Sequence, residues 1–136
     1  MQPWLKLIGS SDNPVRSWDK EYIGFRKSNK PGIRLGDHVF LYAPGGSRRI
    51  FALAEAVANP EPDPDYSPIV EGSCQWRVKV RYLVNLPVDS GILIEEANTG
   101  SRNLAHSVRQ QSHIRLRPDE HMMAKSKLEA KNMSFQ

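Results

Sequence analysis

Apolar and polar residues alternate along "QWRVKVRYLV" (Gln75 to Val84). Trp76, Val78, Val80, Tyr82 and Val84 fall on one side; Arg77, Lys79 and Arg81 fall on the other. A period of two is that of a β-strand, whose successive side chains point to opposite faces. The same reading makes "PWLKLI" (Pro3 to Ile8) an opening strand and "HVFLYA" (His38 to Ala43) a strand with apolar residues on both faces. "PGGS" is then a hairpin turn and "RRIFALAEAVA" (Arg48 to Ala58) the returning strand. Ala52, Ala54 and Ala56 share one face of it, as inside a tight barrel. "SHIRLRP" is predicted as the last strand.

Helical spacing is weaker. Trp18, Tyr22 and Ile23 predict a short helix over Val15 to Ile23, and "GILIEEAN" a second. Asp119 to about Lys131 predicts a third, with acids in its first turn and lysines toward its end, as the helix dipole favours. "NPEPDPDYSPIVEG" has too many prolines for a central strand or helix and is expected to be a surface loop. "GSSDNP", "RKSNKPGIRLGD" and "NTGSRN" are expected to be turns or loops, and "NMSFQ" has no pattern. The expectation is one α+β domain over residues 1–131, a small curled or closed β-barrel with peripheral helices, and a polar tail over 132–136.

Composition narrows the function. The 136 residues have a mean hydropathy of −0.54 and no apolar run near the ~20 residues of a membrane span. The start does not have the pattern of a signal peptide, so the expected compartment is the cytoplasm. The single cysteine, Cys74, excludes an internal disulfide. Net charge is +4, and the acids Glu61, Asp63, Asp65 and Glu71 sit in one cation-free loop. The rest is therefore more basic than the total, with clusters at Arg26, Lys27, Lys30 and Arg34, at Arg77, Lys79 and Arg81, and at Arg109, Arg115 and Arg117. Such clusters suit phosphates, although a strand face with three cations is also what a solvated outer face looks like.

No catalytic constellation stands out. His38, His106, His113 and His121 have no ligand spacing, so neither metal nor cofactor is expected. Ser107 has no nucleophile elbow around it, and Glu95 and Glu96 point different ways on a helix. The rings are more informative: Trp18, Tyr22 and Phe25 precede the basic loop, and Trp76 opens the basic-faced strand. Rings beside cations are the parts of a pocket that stacks a base and holds its phosphates.

The order "PWLKLI", "IGFRKSNKPGIRLGDHVFLYAPG", "IFALAEAVANPEPDP", "WRVKVRYL", "SVRQQSHIRLRPDEH" resembles an EVE domain, of the PUA-like superfamily related to YTH domains, over about Pro3 to His121. The resemblance implies a non-enzymatic module that takes a modified base, flipped out of DNA, into an aromatic pocket. The alternatives are an RNA-binding accessory module and a small-molecule-binding regulatory domain. The resemblance places Phe25, Arg26, Lys27, Ser28, Trp76, Arg109, Gln110 and Ser112 at the nucleic acid or its base; with Ser10 and the rings Trp18 and Tyr22 they are the expected binding residues, and the clustered cations Lys30, Arg77, Lys79 and Arg81 are expected to hold phosphates. Expected partners are a nucleic acid, DNA before RNA, and a nuclease domain or protein. No membrane is expected, and the protein is expected to be monomeric. Departures from the family are Ile23, where relatives carry tryptophan, and Ile8 and Gly9, where they carry a polar pair.

Overall fold

The computed structural model describes residues 1–10, 12 and 15–135, without the side chain of residue 135. Part of the "GSSDNP" turn and the last tail residue, Gln136, lie outside the described residues. The strands are β1 (Pro3–Leu7), β2 (Tyr22–Phe25), β3 (His38–Ala43), β4 (Arg49–Ala56), β5 (Glu61–Pro62), β6 (Trp76–Asn85), β7 (Ile92–Leu93) and β8 (His113–Arg115). The helices are α1 (Leu104–Gln111) and α2 (Pro118–Phe135). The sheet runs β2-β6-β4-β3-β1-β8, with β5 on β6 and β7 on β4. Only β1 and β3 are parallel among these pairs.

Both sheet faces are apolar because the sheet curls around one core and carries the helices on another. Inside lie Trp4, Ile23, Phe25, Val39, Leu41, Phe51, Val78 and Val80, with Ala52, Ala54 and Ala56, the small residues that permit the tight curl. Outside, Leu5, Phe40, Tyr42, Ile50 and Leu53 meet Leu104 and Val108 of α1 and Ala124 and Leu128 of α2. The result is a mixed-sheet half-barrel in the α+β class, as expected. Two bulges set which residues face which core. Leu41 pairs with Ala52 and Tyr42 with Ile50, so Phe51 is extra in β4. Ala54 pairs with Tyr82 and Leu53 with Val84, so Leu83 is extra in β6. Tyr82 and Val84 therefore do not share a face: Tyr82 packs on the inner core and Val84 belongs to the outer one.

Four sequence expectations change. Residues 15–21 form no helix but an extended strap tied to the β6 side, with Val80 N donating to Glu21 O and Tyr82 Oη to Lys20 O. Nine residues of imperfect period make a marginal helix, and strand pairing offers more hydrogen bonds. Residues 92–97 divide into β7 and a short 3-10 turn, Ile94–Ala97. Helix α1 occupies a stretch with no predicted element. The Asn103 side chain caps it by accepting from His106 N at 3.1 Å, and it buries Leu104, Ala105 and Val108. α2 begins at Pro118, a favoured first helical residue, and runs through most of the stretch expected to be a tail. Among the described residues no helix is long and apolar enough to cross a membrane.

Candidate nucleic-acid interface

The half-barrel is closed by side chains where its hydrogen bonds end. β2 and β8 are the two ends of the sheet path. Phe25 of β2 and His113 of β8 meet edge to face at 5.0 Å between ring centroids. Trp4 also meets His113, tilted by 42° at 5.8 Å between ring centroids. Between these rings β1 places Lys6, directly opposite His113 in register, with its Nζ 5.3 Å from the Phe25 centroid. Lys6 is 9 % exposed, and its Nζ donates to Leu7 O at 2.9 Å. Burial, with Arg26 and Lys27 nearby, pulls its ammonium down to about 8, against a raising effect from Cys74. Burial, then Lys6 and Lys27, pushes His113 down to about 4, so its ring is neutral at pH 7.

Two grooves open beside this seam and share Trp4, Gly32 and Arg115. One, of about 670 Å³, adds Lys30, Arg34 and Asp37; the other, of about 400 Å³, adds Lys27, Arg102, Gln111 and His113. The Arg115 guanidinium lies 5.2 Å from the Trp4 centroid. A side chain at Gly32 would press on both, since its Cβ would come within 3.2 Å of Trp4 Cη2 and 3.3 Å of Arg115 Nη2. The acids here are engaged. Buried Asp37 accepts from Trp4 Nε1 (3.1 Å) and from the backbone N–H groups of Gln2 and Arg34 (2.9 Å each). Burial works against its charge, but those bonds outweigh it and hold the carboxyl below the usual range. Glu120, fully buried, takes Arg102 in two bonds of 2.9 and 3.0 Å. Lys27, Lys30, Arg34 and Arg115 are left without an ion-pair partner among the described residues.

The outer face of β6 is the reverse. Arg77 pairs with Glu61 at 2.8 Å, Arg81 with Glu55 at 2.6 Å and Lys79 with Glu21 at 3.6 Å. Arg77 also covers the Tyr22 ring at 4.0 Å. These three cations, expected together with Lys30 to hold phosphates, each have a glutamate as partner.

The residues expected to bind the base do not converge. β2 runs antiparallel to β6, so Phe25 pairs with Trp76, while Trp18 bonds through its carbonyl to Asn85 at the other end. That is about 30 Å along the strand, and Trp18 and Trp76 do not share a pocket. Phe25 is 2 % exposed under Lys6 and forms part of the seam's floor, not an open stacking surface. Trp18 has Lys20 over its ring at 4.7 Å. Trp76 is half-buried, and its Nε1 donates to Ser28 O at 3.0 Å, which ties the basic loop to β6. Arg26 lies against Gly72. Arg109 and Gln110 are exposed on α1; Gln111, not Gln110, lines the groove. Ser112 caps α1 in a left-handed conformation (φ 64°). Ser10 follows β1 outside both grooves. Of the expected residues the grooves include Lys27 and Lys30. Trp4, Lys6, Arg34, Arg102, Gln111, His113 and Arg115 were not anticipated. A signal for Lys6 existed, since it shares a strand face with Trp4.

No family model matches the chain, and no curated protein matches it. Solved structures do. Rpa0253 from Rhodopseudomonas palustris is similar over 100 % of this chain and 96 % of its own, with 15 % identity and a TM-score of 0.60. Atu2648 from Agrobacterium tumefaciens gives 98 % and 92 %, 15 % identity and 0.56. A serine-to-alanine variant of ZmASCH from Zymomonas mobilis gives 91 % and 94 %, 14 % identity and 0.53. The fold is PUA-like. At these identities the likeness concerns the PUA-like backbone alone, and function must be argued from the groove.

Proposed function

We propose that this PUA-like chain is a nucleic-acid-binding module without catalytic chemistry, which grips a strand by its phosphates along the groove shared by Trp4 and Arg115. The carrying observation is the placement of free charge: Lys27, Lys30, Arg34 and Arg115 line two adjoining grooves that share Trp4, Gly32 and Arg115, with no unengaged carboxylate lining them among the described residues. Phosphate contacts of this kind position a strand without reading its sequence. Selection then falls to the seam, where one nucleotide fits a recess of about 400 Å³, within the ~300–1,000 Å³ usual for ligand sites. Following the EVE resemblance, the selected base is a modified one flipped from DNA, with RNA as the alternative strand.

The test is a panel of single- and double-stranded DNA and RNA oligonucleotides, with and without methylated cytosine or adenine, titrated at two salt concentrations. The expected result is salt-dependent binding that the Lys27→Ala/Lys30→Ala/Arg34→Ala variant loses and that one methylated strand strengthens. Binding unchanged in that variant would move the interface elsewhere; no binding to any strand would end the reading.

A further inference from the structure

The seam holds two buried polar groups that the fold leaves short of partners. The Lys6 ammonium has three donor hydrogens, and one reaches Leu7 O. His113 Nδ1 is buried with no hydrogen-bond partner. The two residues face each other across the β1–β8 pair. No carboxylate is among the groups acting on Lys6 from the packed elements: these are the cations Arg26 and Lys27 after β2 and the cysteine Cys74 before β6. His113 is likewise influenced by Lys6 and Lys27.

A buried ammonium without a carboxylate is costly, and buried polar groups lacking partners call for an explanation. A water molecule could satisfy one donor but would not relieve the repulsion among Lys6, Arg26 and Lys27. An oxyanion does both. Its oxygens accept from Lys6 and from His113 in the Nδ1–H tautomer, and its charge offsets the cluster. We infer that Lys6 and His113 form an oxyanion site at the seam, and that it takes a phosphate group, with Lys6 as the principal donor. The inference rests on the proposed nucleic-acid function only for the phosphate's source; a free phosphate presents the same oxygens.

The experiment compares the wild-type chain with Lys6→Met, which keeps the length of the side chain and removes its charge, and with Lys6→Arg. Melting temperature is measured with millimolar inorganic phosphate against chloride at matched ionic strength, and affinity is measured for a short single-stranded oligonucleotide. The expected result is that phosphate stabilises the wild type and not Lys6→Met, and that oligonucleotide affinity falls about tenfold or more in Lys6→Met, with partial recovery in Lys6→Arg. Wild-type affinity should also weaken between pH 7 and 9.5 more than that of Lys6→Met, as the ammonium deprotonates. Equal phosphate stabilisation in wild type and Lys6→Met overturns the site, as does the absence of any stabilisation. Phosphate stabilisation confined to the wild type, with no oligonucleotide bound, leaves the site standing and overturns the nucleic-acid reading.

Discussion

The outer face of β6 and the seam beside β1 are both cationic in sequence and opposite in chemistry. On β6 each cation meets a glutamate: Arg77 and Glu61 are direct cross-strand partners, as are Arg81 and Glu55, and Glu21 reaches Lys79 from the strap. In the grooves beside the seam Lys27, Lys30, Arg34 and Arg115 pair with none among the described residues, and Lys6 lies buried at the seam itself with Arg26 and Lys27 nearby. A run of cations therefore says little about binding until its register with acids is known. The rings repeat the lesson. Trp4, Trp18, Tyr22 and Phe25 each carry a cation near one face, Arg115, Lys20, Arg77 and Lys6 respectively. The ring-and-cation composition read as a stacking pocket is in large part intramolecular.

The largest effect expected comes from emptying the groove. Lys27→Ala/Lys30→Ala/Arg34→Ala removes three phosphate partners, lowering the slope of log K against log salt by about 2.7, or about two decades of affinity at 0.15 M salt. A slope equal to the wild type's would place these cations off the path of the strand.

Comparable in size is the pH dependence of folding stability without ligand. Lys6 ionises near 10.5 when exposed and near 8 here, so between those limits the unfolded chain holds more protons and stability climbs with pH, by on the order of 3 kcal/mol. His113 has the same sign in a lower window: as pH falls from 6.5 to about 4 only the unfolded chain takes up its proton, and stability falls. Denaturant titrations should show the alkaline rise vanish in Lys6→Met and the acid decline shrink in His113→Gln. Persistence of either in its variant would assign that slope to other groups.

Trp76→Phe is a smaller perturbation. It keeps a ring and loses the bond to Ser28 O, worth about 1 kcal/mol, so the loop carrying Lys27 and Lys30 loosens. Hydrogen exchange in residues 26–30 should speed up while affinity drops only several-fold. An abolished preference for the modified strand, in a folded variant, would return Trp76 to the base pocket.

Arg77→Ala/Lys79→Ala/Arg81→Ala should change affinity least, because each of these cations already has a glutamate beside it that offsets its charge toward a phosphate. The converse variant sharpens the contrast: Glu21→Gln/Glu55→Gln/Glu61→Gln frees the three cations and should steepen the salt dependence by adding a second, unselective surface. If it does not, pairing is not what keeps β6 silent.

The half-barrel was legible where a strand has a clean period or a marked turn. β3, β4 and the hairpin between them follow from "HVFLYAPGGSRRIFALAEAVA", and the alanines on β4 do line the inner core. α1 was missed because its apolar residues, Leu104, Ala105 and Val108, are few among polar ones, although Asn103 stands in cap position. The strap over 15–21 has helix-like spacing that tertiary hydrogen bonds override. The site was less legible than the fold. Clustering in sequence marks Lys30 and Lys27, whereas Lys6 stands alone among apolar residues, and that β1 is covered on both faces emerges only from the fold. The glutamate partners of β6 come from three separate segments, which only the folded register brings together.

The extra residue at Leu83 makes β6 a shared girder. Below it Val78 and Val80 serve the inner core, and above it Val84 serves the outer core with the helices. Neither core can melt while the strand stays intact, so both should unfold in one transition. Deleting Leu83 removes the bulge and leaves Val84, now directly after Tyr82, on the face of the helices. A calorimetric trace of that deletion should still show one transition, and a split with α1 and α2 released first would show that the two cores are not coupled through β6.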